Sequence, residues 1–138
     1  MTSHATWDFL HDGEITRLDG VVPGDVRLFV EIPYLRKAFR EQGTAFVLTL
    51  FDCTSLRLET NDGRAVHSFA EISSRRPILL TTTSEVPLSI YTTEGTLNLE
   101  YARLSVSLES GTRVELAELE RASESYWTAW SKVHGTDT

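Results

Sequence analysis

A chain of 138 residues and 15.5 kDa is the length of one ordinary domain, and folding at that size buries roughly two-thirds of the surface the unfolded chain exposes. Hydrophobic residues are 41% and charged residues 24% of it, with four prolines and no low-complexity tract, which excludes a disordered or collagen-like chain. Its formal net charge of -7, from 20 acidic against 13 basic residues, repels phosphate backbones and argues against nucleic acid as a partner.

Ile15, Leu18 and Val21 lead into Val22-Pro23-Gly24-Asp25, where proline fixes φ and glycine permits a tight bend. Beyond it Val26, Leu28, Val30 and Ile32 alternate with polar and aromatic residues, the period of a strand, so residues 14–32 read as a hairpin. Leu35, Ala38 and Phe39 share one side of a helical turn, predicting a short helix near 34–41 that ends by Gly43. Ala45 to Asp52 is apolar on both sides, as in a central strand covered on both faces. Leu56, Leu58 and Thr60 alternate and run into Asn61-Asp62-Gly63, a strong hairpin signal, with Val66, Phe69 and Ile72 expected on the returning strand.

Ile78 to Thr83 and Leu88 to Thr93 are two further strands around Ser84-Glu85-Val86-Pro87, and Thr93 to Thr96 makes the next turn. Leu97, Leu99 and Tyr101 share one parity and Leu104, Val106 and Leu108 the other, which requires a bulge or bend near Ala102-Arg103. Thr112 with Glu115 has the spacing of a capping box, and Leu116, Leu119, Ser123, Tyr126, Trp127, Trp130 and Val133 follow a helical stripe. About eight strands and one amphipathic helix, without strand-helix-strand alternation, predict a mainly β antiparallel fold. The expectation is one domain over 1–138, a β-sandwich or open barrel with the C-terminal helix, about 113–134, lying on it.

No run reaches the about 18 apolar residues of a membrane helix, and the first residues lack a basic region followed by an apolar one. A soluble, unexported protein without a membrane partner is expected. The lone Cys53 forms no internal disulfide, which suits a cytoplasmic setting, and no Cys or His spacing matches a zinc site, so no metal or cofactor is expected. His11-Asp12 has the form of the adjacent ligand pair of metal-dependent phosphohydrolases. That family is all-helical and draws further ligands from other helices, whereas His4, His11, His67 and His134 lie among strands or near the termini. The simpler reading is a turn at Asp12-Gly13, with the Asp12 carboxylate on nearby backbone N–H groups and His11 capping or packing at that turn. Asp8, Asp12, Glu14 and Asp19 cluster in sequence, and a hydrolase built on His11, Asp12 and Asp19 would need them to meet in space. No serine lies in a nucleophile elbow, Cys53 ends an apolar strand where a thiol is inert, and no glycine-rich phosphate loop exists.

Two basic clusters, Arg36, Lys37 and Arg40 on the short helix and Arg75-Arg76 before Pro77, would grip a carboxylate or phosphate if they converged. The aromatic group Trp7, Tyr126, Trp127 and Trp130 reads as packing of the terminal helix on a sheet or, functionally, as a surface hot spot. From Glu85 onward nine acidic residues stand against four basic ones, five of the seven net negative charges in the last 54 residues. That end suits a basic protein partner.

The run Trp7-Asp-Phe-Leu-His-Asp-Gly-Glu-Ile15, followed by Pro23 to Arg36 with Tyr34 near its end, resembles the opening of small bacterial proteins that in turn resemble the immunity-protein-like domains found beside secreted polymorphic toxins. The likeness covers the first third of the chain together with Tyr126-Trp127 and Trp130. It implies a β-rich cytoplasmic domain that binds a protein and catalyses nothing, and it carries no active site to transfer. The candidate binding residues are Trp7, His11, Asp12, Tyr34, Arg36, Lys37, Arg40, Arg75 and Arg76, with a small anionic ligand held by arginines as the alternative.

Overall fold

A computed structural model describes residues 4–133 of the chain. The elements run α1 (His4–Phe9), β1 (Glu14–Gly20), β2 (Gly24–Glu31), α2 (Pro33–Arg36), β3 (Ala45–Cys53), β4 (Ser55–Thr60), β5 (Ala65–Val66) and α3 (Phe69–Arg75). They continue as β6 (Leu79–Glu85), β7 (Leu88–Thr92), β8 (Gly95–Glu100), β9 (Arg103–Leu108), β10 (Arg113–Val114) and α4 (Leu116–Val133). Two five-stranded antiparallel sheets result, in the orders β1-β2-β3-β9-β10 and β5-β4-β8-β7-β6.

The alternation in the sequence sets which side chains meet between the sheets. Val26, Leu28 and Val30 of β2 and Phe46, Leu48 and Leu50 of β3 are fully buried from one sheet, facing Leu56, Leu58, Leu97, Leu99 and Ile90 of the other. The other side of β3 is also largely covered: Ala45 and Val47 are buried, and the half-buried Phe51 ring lies under the Arg103 guanidinium at 4.1 Å.

One seam between the sheets is stitched by backbone. Glu14 bridges Ile78, Ile15 N–H donates to the Pro77 carbonyl at 2.9 Å, and Leu79 N–H donates to the Gly13 carbonyl at 2.8 Å. The approach is so close that a Cβ on Gly13 would lie 2.5 Å from Val30 Cγ1 and 2.8 Å from the Leu10 carbonyl oxygen, so glycine alone fits there. The sandwich is tied along that edge without closing into a barrel.

Several expectations need correction, but the bend expected near Ala102-Arg103 is present at Ala102, where the chain leaves the second sheet for the first. That crossing lies beside the β3-to-β4 crossing, with Ala102 N–H donating to the Phe51 carbonyl and Thr54 N–H to the Glu100 carbonyl. Of the returning strand after Gly63 only Ala65 and Val66 pair; Phe69 and Ile72 belong to α3. Its N-cap Ser68 accepts from Glu71 N–H, the Ser-x-x-Glu signature of a helix start that the aliphatic spacing overshadowed. Ser73 of α3 also accepts from Leu18 N–H, satisfying a donor on edge strand β1. Helix α1 has no counterpart in the sequence reading.

The helix expected near 34–41 is one turn, Pro33–Arg36, continued by tighter turns in which Ala38 N–H reaches Leu35 O and Phe39 N–H reaches Arg36 O. The C-terminal helix starts three residues later than expected. Arg113 and Val114 pair with β9 instead, and Glu118 reaches back to the Glu115 N–H at 2.9 Å, so the reciprocal capping contact sits one turn further on. Thr112 hydrogen-bonds Glu41 at 2.7 Å. The main contacts of α4 are with α1 and α2. Residue 134, its expected end, and the side chain of Val133 lie outside what the structure describes.

Candidate functional site

Helix α1 ends in a turn closed by Gly13 N–H on the Leu10 carbonyl, and Asp12 takes a left-handed φ of 69° there. His11 Nδ1 lies 3.0 Å from the Asp8 carbonyl, which only accepts, so Nδ1 carries the proton and Nε2 faces Asp12 Oδ2 at 3.8 Å. The turn forms as expected. The Asp12 carboxylate does not take the expected backbone N–H groups; it stands in solvent beside His11.

The carboxylates that cluster in sequence disperse in space. Asp8 accepts from Thr82, Glu14 pairs with Arg76 at 2.8 Å, and Asp19 pairs with Arg17 at 3.0 Å and Arg27 at 3.5 Å. Asp19 is at the far end of β1 from His11 and Asp12, about 20 Å away at ~3.3 Å per strand residue. The arrangement that a hydrolase on His11, Asp12 and Asp19 requires is therefore not formed. Among the described residues no group of three His, Cys, Asp or Glu side chains is placed to hold a metal ion. A recess of about 130 Å³ beside His11, walled by Trp7, Asp8, Leu79 and Ile90, is smaller than the ~300 Å³ at which small-molecule sites begin.

Trp7 is buried, and its indole N–H donates to the Tyr101 hydroxyl at 3.0 Å, which makes it a core residue rather than a contact surface. Tyr34 donates its hydroxyl to the His11 carbonyl at 3.2 Å and packs against Tyr126 at 4.4 Å between ring centroids, with the rings tilted by 43°. Burial, then the Asp12 charge, then Tyr126 push its phenol above the usual value of 10.

The two basic clusters share no partner. Arg36 is the largest fully buried side chain: Nε donates to the Ala45 carbonyl at 3.1 Å, its terminal nitrogens donate to the Glu41 and Gln42 carbonyls at 2.6 and 3.1 Å, and Glu109 lies at 3.4 Å. It pins the loop from α2 to β3 and is closed to any ligand. Arg75 pairs with Glu71 and Glu94, and Arg76 with Glu14. Lys37 and Arg40 remain exposed.

The surface that stands out is α4. Leu119 and Ala122 are buried, yet Leu116, Trp127 and Trp130 are 43%, 42% and 39% exposed, so only part of the helical stripe enters the core. From the Tyr34–Tyr126 pair the aromatic contacts continue outward, Tyr126 to Trp127 at 4.9 Å and Trp127 to Trp130 at 6.1 Å, both edge-on. Glu120 and Glu124, exposed, precede Trp127 by seven and three residues and share its flank of the helix. On the opposite flank an open groove of about 410 Å³ separates α4 from the turn after α2, lined by Phe39, Arg40, Glu118, Arg121, Ala122 and Ser125.

Comparison with protein-family models, with curated proteins and with solved structures gives no match to this chain. Two features of the surface escape the sequence. Arg121 reads there as one more charge on the wet side of a helix, and only the packing of α2 on α4 brings Arg40 to it. The split of the aromatic stripe is equally invisible, since spacing gives a face but not how far the body beneath it extends.

Proposed function

We propose that the protein is a non-catalytic protein-binding domain whose contact surface is the outer half of α4, centred on Trp127 and Trp130, and whose partner is a basic protein. The observation that carries this reading is the pair of indoles held on the surface of a packed helix, backed by Tyr126 and Tyr34. Tryptophan and tyrosine dominate binding hot spots because they bury much area with few torsions to freeze. Glu120 and Glu124 beside Trp127, and the five net negative charges of the last 54 residues, complement a basic surface and speed its encounter. An immunity-like role, sequestering a cognate toxin in the cytoplasm, is the biological form of this reading. No helix among the described residues is long and apolar enough to cross a membrane.

The test compares capture from the source cell's lysate by the parent and by Trp127→Ala/Trp130→Ala, read by mass spectrometry. A single protein of basic isoelectric point, recovered in equimolar amount by the parent, weakened by salt and lost with the variant at unchanged melting temperature, is the expected result. Identical recoveries from parent and variant would place the partner elsewhere or nowhere.

A further inference from the structure

Among the described residues, eight of the eleven arginines pair with a carboxylate, and Arg103 lies over the Phe51 ring. The two left over are Arg40 and Arg121, and both line the groove between α2 and α4. In a chain with 20 acidic residues, two unpaired guanidiniums in one concavity are a departure from how the rest of the molecule treats its arginines. We propose that this groove is a binding site for the oxyanion group, phosphate or carboxylate, of a small molecule, with Arg40 and Arg121 as its two clamps. The proposal is independent of the protein-partner reading.

The nearest acids are committed elsewhere. Glu41, next in sequence to Arg40, accepts from the Ser110 and Thr112 hydroxyls, which turn it toward the β9–β10 loop and, ahead of the Arg36 charge, hold its carboxyl below the usual range. Glu118, the one acid lining the groove, has Oε1 on the Glu115 N–H, where the first turn of α4 offsets its charge. Two planar guanidiniums, each able to donate in parallel pairs, suit the oxygens of a phosphate or carboxylate, and the Ser125 hydroxyl adds a further donor. Ala122 supplies an apolar floor and the Phe39 ring an apolar wall, the latter fixed edge-on against buried Phe46 at 5.5 Å. At about 410 Å³ the groove is open to solvent and has room for a small molecule lying along it. The groove is thus built for an anionic head and a hydrocarbon or aromatic body.

Calorimetric titration of the full chain at low ionic strength with inorganic phosphate, phenyl phosphate and benzoate tests it. One site is expected for at least one of these probes. Phenyl phosphate tighter than inorganic phosphate would mark a ligand whose body uses Phe39, and benzoate tighter than phenyl phosphate a carboxylate ligand. Arg40→Gln and Arg121→Gln should each weaken binding about tenfold, a loss on the scale of a charge-assisted hydrogen bond. Both side chains are exposed and unpaired, so both variants should keep the parent's melting temperature. Arg57→Gln, on the other sheet, should bind as the parent does. Absence of heat with all three probes, or equal weakening by Arg57→Gln, overturns the proposal. Loss of this site leaves the Trp127/Trp130 capture experiment unchanged, so the two readings fail separately.

Discussion

Replacing Arg36 by methionine separates a structural arginine from a ligand-binding one. Its guanidinium satisfies the carbonyls of Glu41, Gln42 and Ala45 and lies 3.4 Å from Glu109. Methionine follows the aliphatic stem but supplies no donor. Hydrogen bonds from charged donors contribute about 1.5–3 kcal/mol each, and a buried carbonyl left unpaired costs about 1–3 kcal/mol. Glu41 and Gln42 are exposed, so their carbonyls regain water, whereas that of buried Ala45 does not. The net loss is therefore about 3–4 kcal/mol, within the range for breaking a buried charged network. At roughly 3 °C per kcal/mol for a chain of this length, the melting temperature should fall by about 10 °C. Arg36→Lys keeps the charge but cannot span three carbonyls with one ammonium, and should lose about half as much. Glu109→Gln touches a pair whose acid is 42% exposed and should cost no more than about 1 kcal/mol. Urea unfolding monitored by tryptophan fluorescence reads all three variants. An Arg36→Met protein within about 1 kcal/mol of the parent would refute the assignment.

The division of α4 predicts that Leu119→Ala costs about 2–4 kcal/mol and Trp127→Ala less than about 1 kcal/mol in the same assay, and the reverse order would put Trp127 in the core. At the left-handed position of Asp12, asparagine should be neutral and alanine should cost about 1 kcal/mol. Asp12→Asn should also lower the Tyr34 titration midpoint by ultraviolet absorbance, because the Asp12 charge is the second cause of its rise after burial; an unchanged midpoint would show that the charge does not reach the phenol. The Glu71 carboxyl is held below its usual 4.5, first by the hydrogen bond from Arg64 and then by Arg75. A depressed folded value means that its contribution to stability is full above the unfolded value and is lost as pH falls through the folded one. A carbon NMR titration of Glu71 should therefore show a midpoint below 4.5 that rises in Arg64→Gln, and a midpoint at or above 4.5 in the parent would contradict the pairing.

What the sequence determined by itself is local and periodic. Alternation from Val26 to Ile32 fixed the inner face of β2, the Asn61-Asp62-Gly63 turn fixed the β4–β5 hairpin, and the apolar run from Ala45 marked the central strand, because each signal depends only on neighbours along the chain. The short helices were less visible: the period of α1 is lost in six residues, and Ser68-x-x-Glu71 competes with aliphatic residues that also fit a strand. The tertiary structure alone decided which charges are neutralised and which apolar faces are covered. Arg36 and Arg40 lie on one short stretch of sequence, yet one is enclosed by a loop and the other opens onto a groove. Asp12 and Asp19 are near neighbours in the chain and stand at opposite ends of a strand. The stripe along α4 is regular, but α1 and α2 support only part of it, so Leu119 enters the core while Trp127 remains on the surface. Burial and ion pairing depend on what folds back from distant parts of the chain, and periodicity does not carry that information.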